Sequence, residues 1–173
     1  CLSQSPAILL YLAEKHNWLD LYPKDLKVRG LMHQFLHSIY SSKLGLRVIT
    51  TSLFAPFVRP DIAAALTKES WVKEQRRAAK ALVAFEGFLG SKAFVACEQP
   101  TLADFLAYSE IGQANKKHCD LIDFGGFPRT VAWMDRMEKL EGHQESHRSI
   151  AKFGPSIAAR AKKLSESRPV SNL

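Results

Sequence analysis

Apolar residues recur every three or four positions along most of the chain, the spacing of one face of an α-helix. Leu31, Phe35, Ile39, Leu46, Ile49 and Leu53, with Ser42 among them, predict one long helix that Pro56 and Pro60 end. A second long helix is predicted from Asp61 to Leu89 through Leu66, Val72, Ala79, Leu82 and Phe85, with Gly90 as its C-cap. A third begins after Pro100, and a fourth carries Val131, Met134, Met137 and Leu140 and ends at Gly142. A shorter fifth, Gln144 to Phe153, is stopped by Gly154-Pro155, and Ser165 to Leu173 read as a loose tail. Ahead of them all, a short helix ending near Asn17 buries Ile8, Leu9 and Leu12. No segment shows the two-residue alternation of a strand, so the expected class is all-α, a helical bundle.

Composition narrows this reading. With 46% hydrophobic residues among 173, the chain can bury one full core. No apolar run has the length of a membrane span, and the first residues lack the pattern of a secretory signal. The first residue is Cys1 rather than Met, so the native start is expected to be removed or to lie upstream. Cys1, Cys97 and Cys119 are odd in number and far apart, which suits a reducing compartment and not a disulfide framework. The 24 Lys+Arg against 17 Asp+Glu leave a charge of +7, concentrated toward Lys152, Arg160, Lys162, Lys163 and Arg168. Basic and aromatic residues do not interleave as they do in single-strand binders, and nucleic acid is not an expected partner.

Two local patterns carry chemistry or its scaffolding. In Gln4-Ser5-Pro6, Ser5 suits an N-cap and Pro6 a first helical turn, where its missing N–H has no partner to lose. Ser5 then either only caps, or offers a hydroxyl beside free N–H groups and the positive dipole end, a carboxylate site. Thr101, followed three residues later by Asp104, is a capping-box variant that fixes where a buried helix starts.

His33/His37 and His143/His147 have metal-ligand spacing, but Gln34 and Gln144 replace the glutamate of the zinc-protease pattern. A third ligand at a telling distance is also missing, so no metal is expected. Cys119, beside His118, reads as a half-buried structural cysteine.

Gln4-Ser5-x-Ala7-Ile8-x-x-Tyr11-Leu12, Leu21-Tyr22-Pro23-x-Asp25 and Pro100-Thr101-Leu102-Ala103-Asp104-Phe105 together resemble the glutathione transferase superfamily in order and spacing. Phe124-Gly125-Gly126-Phe127-Pro128-Arg129 with Ala132-Trp133, and Gln144-Glu145-Ser146-His147 with Ile150, are similar to its theta-like branch.

The resemblance implies that residues 1–17 end a thioredoxin-like glutathione-binding domain and 18–25 are a linker. Residues 26–155 would form the all-helical C-terminal domain and 156–173 a basic tail. It implies that Ser5, with Gln4 beside it, holds the γ-glutamyl carboxylate of glutathione, and that a thiol-activating serine belongs upstream of Cys1. Ser41 stands near an acidic position that in some relatives reaches glutathione across the dimer. Ser41 and Arg47 are then candidates for the substrate pocket, although Arg47 reads more readily as a solvated cation. The implied activity joins the glutathione thiolate to small hydrophobic electrophiles, or reduces organic peroxides, in a cytoplasmic homodimer with glutathione as substrate. Two alternatives stand beside it: a non-catalytic interaction module, and a peroxisomal address at Ser171-Asn172-Leu173.

Overall fold

A computed structural model describes residues 2–39, 45–63 and 66–166. Helix α1 (Ser5–His16) opens the chain, and Asn17 closes it in the left-handed conformation (φ 53°) while the Trp18 N–H reaches the Ala13 carbonyl at 2.9 Å. Asp25 caps α2 (Leu26–Ser38) by accepting the Val28 N–H at 2.8 Å, and Met32, Phe35 and Leu36 turn into the core.

The predicted single helix from Leu31 to Leu53 is not one helix. α2 ends at Ser38, and the described chain resumes at Gly45, whose φ of +61° is incompatible with continuing an α-helix. A π-helical segment (Ile49–Phe54) and the short α3 (Ala55–Val58) follow. The apolar face nonetheless survives the break, because Phe35, Ile39, Leu46, Ile49 and Leu53 are all buried.

The second long helix also starts later than the spacing suggested. Asp61 belongs to a separate short helix, α4 (Pro60–Ala63), and α5 runs Lys68–Leu89. Thr67 and Ser70 form a reciprocal box, Ser70 N–H to Thr67 Oγ1 at 3.1 Å and Thr67 N–H to Ser70 Oγ at 2.9 Å. Its buried stripe is Trp71, Ala78, Leu82, Phe85 and Leu89, so the predicted Val72 and Ala79 sit one position off the core face.

α6 (Leu102–Ile111) is the axis of the domain and is buried along almost its whole length, with a 3₁₀ turn (Gly112–Ala114) after it. α7 (Pro128–Met137) stops short of the predicted Gly142, which at φ +78° makes the turn into α8 (His143–Ser146). Glu86 of α5 caps α7, accepting the Thr130 N–H at 2.5 Å and its hydroxyl at 2.7 Å. Rings of Phe85 and Trp133 meet edge to face at 4.9 Å between α5 and α7.

α9 (Arg148–Glu166) passes straight through the predicted stop at Gly154-Pro155. Pro155 is exposed, so the carbonyl it leaves unpaired, on exposed Ala151, can turn to water. Gly154 is buried, and a Cβ there would lie 2.6 Å from the His118 carbonyl oxygen, so the close approach needs a glycine. Further along, Arg160 donates to the Phe57 carbonyl at 2.8 Å, and Phe153 packs against Phe54. Among the described residues there is no strand, and no helix long and apolar enough to cross a membrane.

Candidate functional site

The N-terminus of α1 differs from the sequence expectation in one respect. Gln4, not Ser5, occupies the cap position, with φ +72°, and no side chain caps the helix. Ser5 is the first helical residue and is exposed, and Pro6 lies in the first turn as expected. The Gln4 carbonyl accepts the Ile8 N–H at 3.1 Å, so the amides of Ser5 and Ala7 precede the first intrahelical bond. Such a helix end attracts an anion through its N–H groups and its dipole.

Beside this corner runs a groove of about 600 Å³, with Gln4, Pro6, Ala7 and Leu10 on α1 and His33, Leu36 and His37 on α2. His33 is already engaged there: the Tyr22 hydroxyl lies 2.9 Å from its Nε2. Arg29 braces α1 against α2, donating to Glu14 at 3.0 Å and to the Pro23 carbonyl at 2.6 Å, with its guanidinium over the Tyr22 ring. The Leu102 N–H bonds the Leu21 carbonyl at 3.0 Å, tying the 18–25 segment to the start of α6.

That start is held by the Thr101–Asp104 pair. Asp104 Oδ2 accepts the Thr101 N–H at 2.9 Å and its hydroxyl at 2.8 Å, while Oδ1 accepts the Val95 N–H at 2.8 Å and the Trp133 indole N–H at 2.9 Å. Burial pushes the Asp104 carboxyl above its ordinary value, and these donors pull against that shift. The pair is a structural anchor, with no room for a reactant.

Arg47 is paired as well as solvated. Its Nη1 lies 3.0 Å from Oε1 of buried Glu110, whose other oxygen accepts the Thr50 hydroxyl, which in turn receives Gln113 Nε2. About half of the Arg47 side chain (49%) stays exposed, so the guanidinium is braced from behind while one side faces out. Sequence reasoning missed Glu110, Thr50 and Gln113. A carboxylate inside the apolar run of α6 was the one signal that pointed to a buried partner.

Ser41, Cys1 and the Ser171-Asn172-Leu173 end lie outside the described residues, so the two pocket candidates, Ser41 and Arg47, are not seen together. The His143 and His147 rings stack at 4.1 Å with planes 16° apart, and among the described residues no group of three or more ligating side chains is arranged for a metal ion. Burial alone raises the Cys119 thiol to about 11, which keeps it protonated and unreactive at neutral pH.

Residues 46–141 match the family described as Glutathione S-transferase, C-terminal domain. Glutathione S-transferase theta-2 of Rattus norvegicus is 32% identical over 154 residues, 86% of this chain and 62% of that protein. Glutathione S-transferase theta-1 of Homo sapiens is 31% identical, covering 94% of this chain and 70% of its own length. Among solved structures, human glutathione transferase theta-2 in complex with glutathione and an unknown ligand superimposes with a TM-score of 0.66 at 29% identity, covering 98% of this chain and 69% of that one. The chain thus spans about three-fifths of the first curated relatives it matches, 62% in the rat protein.

Proposed function

Because the chain belongs to the glutathione S-transferase family, in its theta-like branch, we propose that it serves as the helical part of a glutathione transferase. The reaction is addition of the glutathione thiolate to small hydrophobic electrophiles, with peroxide reduction as a second use of the same thiolate. Glutathione is the substrate, and the solved theta-2 relative holds it.

The observation that carries this reading is the open end of α1: exposed Ser5 in the first turn, no side-chain cap, and Gln4 at the mouth of a groove. Residues 1–17 act as the last helix of a thioredoxin-like domain, 18–25 as linker, and 26–155 with the rest of α9 as the helical domain, so that the basic segment from 156 begins inside its last described helix. Ser5 and Gln4 bind the γ-glutamyl carboxylate, and the thiol-activating residue belongs to the region that precedes Cys1. Arg47, with Ser41, faces the electrophile.

A cytoplasmic homodimer joins through α2 and α5, where Leu26 is 85% and Val83 64% exposed. The transferase names of the curated relatives do not favour the non-catalytic reading.

The test is retention of the full-length protein on immobilised glutathione, followed by turnover of a model aryl halide. Ser5→Ala should raise KM for glutathione far more than it lowers kcat. If the full-length protein neither binds nor turns over, and Ser5→Ala changes nothing, the proposal fails.

A further inference from the structure

Three imidazoles from two parts of the chain form a column beside α6. His118, from the loop after the 3₁₀ turn, stacks on His147 at 5.7 Å with planes 11° apart. His147 stacks on His143 at 4.1 Å. The Tyr108 ring of α6 stands edge-on to both His143 and His147, at 5.1 and 5.2 Å. His147 is fixed through Nδ1 by the Ser146 hydroxyl and the His143 carbonyl. Both ring nitrogens of buried His118, and Nε2 of His143, have no hydrogen-bond partner. Such nitrogens are tolerated in neutral rings and become costly once they carry a charge.

We propose that this column is an acid-sensitive latch, which holds α8 and the first turns of α9 onto the loop around His118 while the His118 and His143 rings are neutral. The latch sits where the C-terminal segment docks. Gly154 of α9 meets the His118 backbone at a separation that excludes a Cβ, so the loop cannot shift without moving α9. A cleft of about 330 Å³, lined by Tyr108, Met137, Leu140, His143 and His147, runs beside the column and lets water reach it.

The charged surroundings favour the neutral state. Burial lowers His118 and His143 first, and His147 and Lys117 lower them further. Glu138, at the C-cap of α7, opposes this, but it is occupied by Lys117, Asn115 and the Tyr108 hydroxyl, and Asp135 of α7 pairs with Lys117 as well. Glu141 also lines the cleft, and α9 meets His118 through Gly154.

The sign follows. The folded-state values of His118 and His143 lie below the ordinary 6.5, so the released state takes up protons first as pH falls. The latch is intact above about 6.5 and weakens on acidification below it, by up to about tenfold in population per pH unit for each histidine. Release frees Phe153 from Phe54, on the π-helical segment that also carries Thr50 of the Arg47–Glu110 cluster. The proton signal is thereby passed to the residues proposed to face the electrophile.

The test uses the 173-residue chain and two readouts. Proton NMR of the histidine rings should show His118 and His143 titrating below 6.5. Hydrogen exchange, corrected for intrinsic rates, should lose protection at residues 143–158 between pH 7.5 and 5.5 while α5 and α6 keep theirs. In His143→Gln the acid-induced loss should shrink by about tenfold per pH unit of the window. Ordinary titration of both rings, or the same pH response of exchange in 143–158 and in α5, overturns the latch. Should His143→Gln fail to fold, the wild-type titration and exchange data decide the matter.

Discussion

Trp133 Nε1 donates to Oδ1 of Asp104 at 2.9 Å, so the cap of α6 and the middle of α7 share one carboxylate. Trp133→Phe removes this donor and should lower unfolding free energy by about 1–2 kcal/mol. Asp104→Ala abandons the Val95, Thr101 and Trp133 donors together and should cost at least about 3 kcal/mol. Urea titrations followed by circular dichroism will measure both. A double variant no worse than Asp104→Ala alone is the expected sign of a shared bond.

Glu86 caps a helix other than its own. Glu86→Ala should lower stability by about 1–2 kcal/mol, because the Thr130 N–H and hydroxyl lose their acceptor. Glu86→Gln, which keeps one oxygen, should recover part of that loss in calorimetry. Equal melting of all three proteins would remove this contact from the account of α7.

How far the sequence was legible depends on how local each signal is. The box at Thr101 and Asp104 was readable because its partners are three residues apart, and the all-helical class was readable from spacing repeated over the whole chain. Ser5 was misread as the cap because the positive φ of Gln4 leaves no mark in composition. The start of α5 was placed too early, at Asp61, because the apolar spacing runs on across the gap between α4 and α5, and the box that starts α5 uses Ser70 where a Glu or Gln is usual. Gly154-Pro155 read as a stop by local rules, although the glycine answers to a carbonyl on a distant loop. Glu110 gave no local hint of Arg47, its partner 63 residues away. Two of the three rings in the imidazole column showed as His143/His147, and His118 was beyond any periodic pattern.

The close approach of α9 makes Gly154→Ala a sharp probe. The new methyl group would meet His118 backbone atoms at 2.6 and 2.9 Å, so stability should fall by about 1–3 kcal/mol. Pro155→Ala should be neutral or mildly stabilising, since it restores a helical N–H at an exposed position. If thermal melts order the two variants the other way, the docking of α9 is misdescribed.

Cys119 should resist iodoacetamide at pH 8 in the native protein and react fully in urea, as read by mass spectrometry. Its folded value of about 11 lies above the ordinary 9.0. The unfolded chain therefore loses this proton first, and the associated stability is present below about pH 9 and declines as pH rises toward 11. Rapid native alkylation would contradict both statements.

Arg47→Ala should destabilise the fold by about 1–3 kcal/mol, because buried Glu110 loses its cationic donor. Glu110→Gln in the same background should return part of that loss, since a neutral amide no longer needs the cation. Chemical denaturation of the two single variants and the pair will show whether the cluster acts as a unit.

The bond from Arg160 to the Phe57 carbonyl joins residues 103 positions apart. Chains are made from the N-terminus, so Phe57 leaves the ribosome long before its partner exists. During that interval Phe54 and Phe57 await the segment that will cover them, and the domain closes only once α9 has emerged. A chaperone that shelters the nascent chain would find its occasion here, and a premature stop codon before Arg148 would release a protein with an open flank. α9 therefore sets when this domain can close.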